Sequence, residues 1–257
     1  MTKKFQRYRL LIETGKIVFL ILACKLLIEY FSLEVFGITP LFTSIIAGGV
    51  FIISIIISGT LVDYKESDRL PAEIAASIEA IHQEGVLLKK VKNEFNLSSL
   101  REKLLGILDG LKQDLVSTDA HSRKALEATE TVSGSFQEME VLNMPPNYIV
   151  RLKQEQQLVR LKLLRIYHIQ KIQFVPSAFI LAETIVVLII GLLLLTKIEP
   201  VYDGIIMVAF LSYLFIFLLK LLRVLETPFR ADEYSMDDIS LFLLRELQEK
   251  ISREHQT

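Results

Sequence analysis

Tryptophan is absent from the 257 residues, and cysteine occurs once, at Cys24. A single thiol excludes an intramolecular disulfide framework. Without tryptophan, any aromatic belt at a membrane surface rests on tyrosine and phenylalanine. Net charge is nearly missing too: 29 Lys and Arg stand against 30 Asp and Glu, so no bulk field draws in nucleic acid. Signature motifs of chemistry are also missing. There is no P-loop, GxGxxG, HExxH, CxxC or GxSxG, and nothing in the chain points to an enzyme or to a cofactor. Glu79-x-x-His82 has the spacing of helical di-iron ligands, but such a site needs two of these pairs plus further carboxylates. It reads as a solvated helix face. Asp232, Asp237 and Asp238, with Glu233, gather oxygens of the kind a hard cation takes. They lack EF-hand spacing and its loop glycine, so they read as charge near a helix N-terminus, and no metal site is assigned.

Apolar sequence is what the chain has in abundance, 51% of its residues, and it comes in long uncharged runs. From Val35 to Val62 there is no Asp, Glu, Lys, Arg or His, long enough to cross a hydrocarbon core of about 30 Å at about 1.5 Å per residue. Asp63, Lys65, Glu66, Asp68 and Arg69 then follow at once. Along this stretch Ser44, Gly48, Phe51, Ile55, Ser58 and Val62 recur at steps of three or four and share one helix face, whereas Ile46, Ile53 and Ile57 fall elsewhere. Two readings compete. Small residues allow close helix packing; a row of small, hydroxyl and bulky apolar groups also suits a pore lining, with Phe51 and Ile55 as an apolar constriction.

The order of segments predicts an all-α integral membrane protein with four spans and a large helical cytoplasmic region. Residues 1–16 are a basic N-terminus, cytoplasmic by the positive-inside rule. The apolar run after it has no small-residue cleavage site and reads as a retained helix. Spans are expected at 17–36, 40–62, 174–196 and 201–219, with the first two as antiparallel neighbours across a short outer loop. Residues 63–172 form the helical cytoplasmic region, and 220–257 a cytoplasmic tail with a last amphipathic helix capped by Ser235 or Asp237. Both termini then lie in the cytoplasm. Pro71, with Ser67 or Asp68 at the cap, marks a helix start, as do Ser98 or Ser99 for the next helix. Among the ionisable residues inside the spans, Lys25, Glu29 and Glu183 stand out. Lys25 and Glu29 sit at i and i+4, so they either pair or snorkel to the outer interface, the reading favoured here. Glu183 serves either a structural hydrogen bond or a permeation path.

Two stretches resemble the bestrophin family of anion channels. ISGTLVDYKESDRLPAEI resembles the pore-lining second helix of that family as it enters the cytoplasm and reaches a Tyr…Asp-Arg run; Tyr64, Asp68 and Arg69 are the matching residues. VLETPFRADEYSMDDISLFLLREL resembles the segment after the family's fourth helix, where an acidic residue, Asn-Pro-Phe-Gly and an acidic stretch lead into a helix. Glu226, Pro228 and Phe229 match it, while Thr227 and Arg230 replace the asparagine and the glycine. The resemblance implies a homopentamer in membrane lipids around one axial pore lined by the second helix, passing inorganic anions such as chloride. Calcium activation, a feature of animal members, is not implied by the altered Pro-Phe segment. The alternative is a non-conducting membrane scaffold, or an uncharacterised bestrophin-related protein, that binds a partner through its cytoplasmic helices.

Overall fold

The computed structural model describes residues 3–117, 122–171, 176–229 and 238–256. Nine α-helices account for nearly all of these residues, in the order α1 (Lys3–Tyr30), α2 (Pro40–Val91), α3 (Leu97–Val116), α4 (Lys124–Thr131), α5 (Ser133–Val141), α6 (Pro146–Lys171), α7 (Pro176–Leu195), α8 (Val201–Glu226) and α9 (Phe242–Gln256). One two-residue parallel pair interrupts the helical pattern, β1 (Phe36–Gly37) with β2 (Thr196–Lys197). The chain divides into two compact units: 1–64 with 173–228 and 234–238, and 65–172 with 229–233 and 239–257.

The first unit holds α1, the first half of α2, α7 and α8. Among the described residues three helices, α2, α7 and α8, are long and apolar enough to cross a membrane. Their shared core is Phe42, Ile53, Phe179, Ala182, Val186, Ile189, Leu193, Val208, Phe215 and Leu222. Gly49 of α2 faces α7. A Cβ there would meet the tips of Ile189 and Ile185, so a small residue is required for packing. Helix α1 lies mainly against α8 and α7, not beside α2 as the short loop suggested. It is tied to α8 by Lys220 and Glu13 at 3.1 Å.

The first apolar segment also ends earlier than expected. After Tyr30, the Leu33 N–H donates to the Ile28 carbonyl and the Ser32 N–H to that of Glu29, both at 2.9 Å, with Ser32 at φ 53°. These crossed bonds are a Schellman closure with serine in the left-handed position. Phe36 therefore belongs to β1 rather than to a span, and Thr196, placed at the end of the third span, belongs to β2.

The second unit is built from the remainder of α2, α3, α4, α5, α6 and α9. Pro71 does not start a helix. It lies inside α2, losing one backbone hydrogen bond at a cost of about 3 kcal/mol, which the buried row Leu70, Ile74, Ile78 and Ile81 (2% exposed or less) offsets by continuing the apolar face on both sides. Helix α3 starts one turn before the expected serines. Its cap is Asn96, whose side chain accepts the Ser99 N–H at 3.0 Å, as a good N-cap does. The stripe Leu100, Leu104, Leu108 and Leu111 is buried as its spacing predicts, and so are Leu152, Val159, Leu163 and Ile166 of α6. Ser235 and Asp237, the expected caps of the last helix, lie outside the described residues.

Helix α4 has no side-chain cap of its own at Arg123. Asp114 of α3 does that work from the neighbouring helix, accepting the N–H groups of Lys124 and Ala125 at 3.1 Å, the Ser122 hydroxyl at 2.6 Å and the Tyr167 hydroxyl at 2.5 Å. Burial alone raises a carboxyl pKa; these donors overcome it and hold Asp114 below its usual range. Tyr167 is pushed far up by burial and by the same carboxylate. Close approach of α3 to α4 depends on Gly110, where a Cβ would stand 2.7 Å from the backbone nitrogen of Ala125.

Candidate conduction face

Helix α2 presents its two sides to different surroundings within the first unit. Phe42, Gly49, Ile53 and Thr60 are buried, and Ile46, Val50, Ile56 and Ile57 are half-buried against the core. The expected lining row, Ser44, Gly48, Phe51, Ile55 and Ser58, is exposed at every position and continues to Val62. Phe51 keeps 66% of its surface and Ile55 56%. The exposed arc is wider than that row and includes Ile45 and Ile52. Hydroxyls on this helix turn back onto their own backbone: Ser44 donates to the Pro40 carbonyl at 2.8 Å and Ser54 to that of Val50 at 2.7 Å. Such bonding lets a serine stand on an apolar face without an outside partner. A Cβ on Gly48 would meet nothing within 4 Å, unlike one on its neighbour Gly49. The paired glycines, about 100° apart around the helix, thus have different surroundings.

The candidate intramembrane charges are arranged otherwise than the spacing suggested. Lys25 is 2% exposed and neither pairs with Glu29 nor snorkels. It forms an ion pair with Glu34 and donates to the carbonyls of Thr196 at 2.7 Å and Leu194 at 3.4 Å. The Schellman turn brings Glu34 back within its reach, and nothing in i, i+4 spacing could have shown this. Glu29 is half-buried. Glu183 of α7 has a partner that sequence reading missed, Arg223 of α8 at 2.6 Å, and both side chains remain largely exposed.

Among the motif residues, Tyr64 is half-buried while Asp68 and Arg69 are exposed. Glu226 is half-buried, with Oε1 enclosed and accepting no hydrogen bond among the described residues. Pro228 and Phe229 are buried. Of the acidic cluster, Asp238 is buried, and Asp232 and Asp237 lie outside the described residues. Among the described residues no three His, Cys, Asp or Glu side chains come together as metal ligands. His82 corrects another expectation: it is 2% exposed, not solvated, and Glu79 is half-buried.

No protein-family model and no curated protein matches the sequence. Solved structures do. A crystal structure of a bacterial bestrophin homolog from Klebsiella pneumoniae, carrying one substitution, superposes with a TM-score of 0.81 at 13% identity, over 96% of this chain and 98% of that one. A second crystal structure of that homolog gives 0.75 at 13% identity, over 97% and 98%. A crystal structure titled only as a membrane protein, also a substitution variant, gives 0.80 at 13%, over 96% and 99%. The all-helical fold of this chain is therefore that of the bestrophin homolog along nearly its whole length, as the two short motifs led one to expect.

Proposed function

We propose that the chain is a subunit of an oligomeric, bestrophin-like membrane channel that passes inorganic anions passively along α2. The observation carrying this reading is the continuously exposed row Ser44, Gly48, Phe51, Ile55 and Ser58 on a helix whose other side is packed. One subunit of this size has too little wall for a pathway of its own, so cyclic assembly closes the conduit; the bestrophin resemblance of the two motifs implies five copies. The spans are the apolar part of α1 up to Tyr30, 40–62, 176–195 and 201–219, with both termini and the second unit in the cytoplasm. The fourth span is α1, whose Lys25 is neutralised by Glu34, as an ionisable group at membrane depth needs. Phe51 and Ile55 form the apolar neck.

The test is chloride flux through liposomes holding the purified protein. Flux above empty vesicles, raised severalfold by Phe51→Ala, is expected. A folded oligomer that passes neither chloride nor cations overturns the channel. It would favour the scaffold reading, which has one observation behind it: Val150, Leu158 and Leu161 of α6 form an exposed apolar strip in the second unit.

A further inference from the structure

We propose that His82 makes the seating of the C-terminal helix proton-sensitive, so that α9 is clasped when His82 is neutral and loosened when it is protonated. The apolar side of α9, Leu244, Leu247 and Ile251, is buried, and its polar edge is held by three contacts. Gln248 donates to Asp109 at 2.7 Å, Lys250 to Glu79 at 2.7 Å, and Arg101 grips Glu254 through both the backbone carbonyl and the carboxylate, the latter at 3.1 Å. Arg101 is itself aimed by His82, whose Nε2 accepts the guanidinium Nε–H at 3.2 Å. That bond requires a lone pair on Nε2, hence a neutral imidazole with its proton on Nδ1.

Protonation turns the acceptor into a donor facing a donor and places a second positive charge beside Arg101. Every charged neighbour bears on this step: Glu79 from α2 itself, Arg101 from α3, and Lys250 and Glu254 from α9. Glu254 Oε2 stands 3.5 Å from Nε2 and attracts the proton. Burial opposes it more strongly, with Arg101 and Lys250 adding to the opposition, so the imidazole is held below its ordinary range. A released α9 would leave His82 free to take up a proton at its ordinary pKa. The seated state therefore binds fewer protons between the two values. Seating is complete above the ordinary histidine range and weakens as pH falls through it. Over that interval Glu79 stays ionised, its carboxyl held low mainly by the hydrogen bond from Lys250.

Hydrogen exchange on the full chain in detergent, corrected for the intrinsic pH dependence of exchange, reads the seating directly. Protection of α9 is expected to fall about tenfold relative to α3 and α6 for each unit by which the seated pKa is depressed, between about pH 7.5 and 5.5. His82→Gln, which keeps an acceptor for Arg101 but cannot titrate, is expected to abolish the fall. His255→Gln, changing the histidine that α9 itself carries, is expected to keep it. Constant α9 protection in the unmodified protein overturns the clasp without recourse to any variant. So does a fall that survives His82→Gln or disappears with His255→Gln.

Discussion

Each unit of the molecule buries one charged side chain at a helix end, and the two solve the problem differently. In the first unit Lys25 takes the carbonyls of Leu194 and Thr196 at the C-terminal end of α7. In the second, Asp114 takes the N–H groups of Lys124 and Ala125 at the N-terminal end of α4. The signs are those the helix dipole favours, a cation at the carbonyl end and an anion at the amide end. In both cases the group comes from another element, and α4 has no side-chain cap of its own. The difference lies in the remaining partners. Lys25 has a full counter-charge, Glu34, whereas Asp114 has the neutral hydroxyls of Ser122 and Tyr167. The first unit shows apolar side chains to its surroundings, Phe19, Leu20, Phe51, Ile180, Val187 and Phe210 among them. A buried charge beside hydrocarbon must be neutralised. The second unit carries ion pairs on its outside, such as Arg160 with Glu130 and Lys162 with Glu73, and oriented dipoles suffice for a carboxylate near water.

The largest effect is expected where the counter-charge is stranded. Lys25→Met leaves Glu34, 11% exposed, without its partner, at a cost of about 3–5 kcal/mol. The double change Lys25→Met with Glu34→Leu should recover most of that loss, since an apolar pair often replaces a buried ion pair without penalty. Thermal melting in detergent checks both. A double variant as unstable as the sum of the singles would mean that the two charges act separately, and the contrast between the units would fall.

This contrast was only partly legible in the sequence. Uncharged runs gave the apolar helices, and steps of three and four gave the exposed side of α2 and the buried stripes of α3 and α6, because helical periodicity needs no knowledge of neighbours. Pro71 misled, since a local rule about helix starts yielded to the packing of Leu70 and Ile74. Asn96 was passed over for Ser98 and Ser99, one turn too far along. Lys25 was read as snorkelling or as paired with Glu29, because helix spacing alone displays only local partners; the true partner depends on a turn that closes through Ser32 in the left-handed region. Asp114 looked like any acidic residue on a polar helix face, and its role exists only once α4 is laid against α3. His82, matched to a metal spacing, acquires its meaning from Arg101 and from α9, far away in the chain.

A smaller loss is expected at the second buried charge. Asp114→Ala leaves the buried Tyr167 hydroxyl and two amide groups unsatisfied, a cost of about 3 kcal/mol, whereas Asp114→Asn keeps an acceptor and should cost less. Because the carboxyl is held below its usual range, its contribution is present above the ordinary Asp pKa and is lost as pH falls through the depressed one. Urea or thermal unfolding against pH should show a shallower acid loss for Asp114→Asn than for the unmodified chain. Equal slopes would remove Asp114 as an ionised cap.

Least of all is expected from Glu66→Gln. Arg165 binds Glu66 through two parallel bonds of 3.1 and 2.9 Å, good bidentate geometry, and this hydrogen-bonded partner is the main cause holding the Glu66 carboxyl low. Both side chains remain open, 51% exposed for Glu66 and 37% for Arg165. Water and salt screen such a pair, and its loss should cost less than about 1 kcal/mol, fading further at high ionic strength. Melting of Glu66→Gln at low and high salt checks it. A salt-insensitive loss of about 2–3 kcal/mol would place the pair out of water.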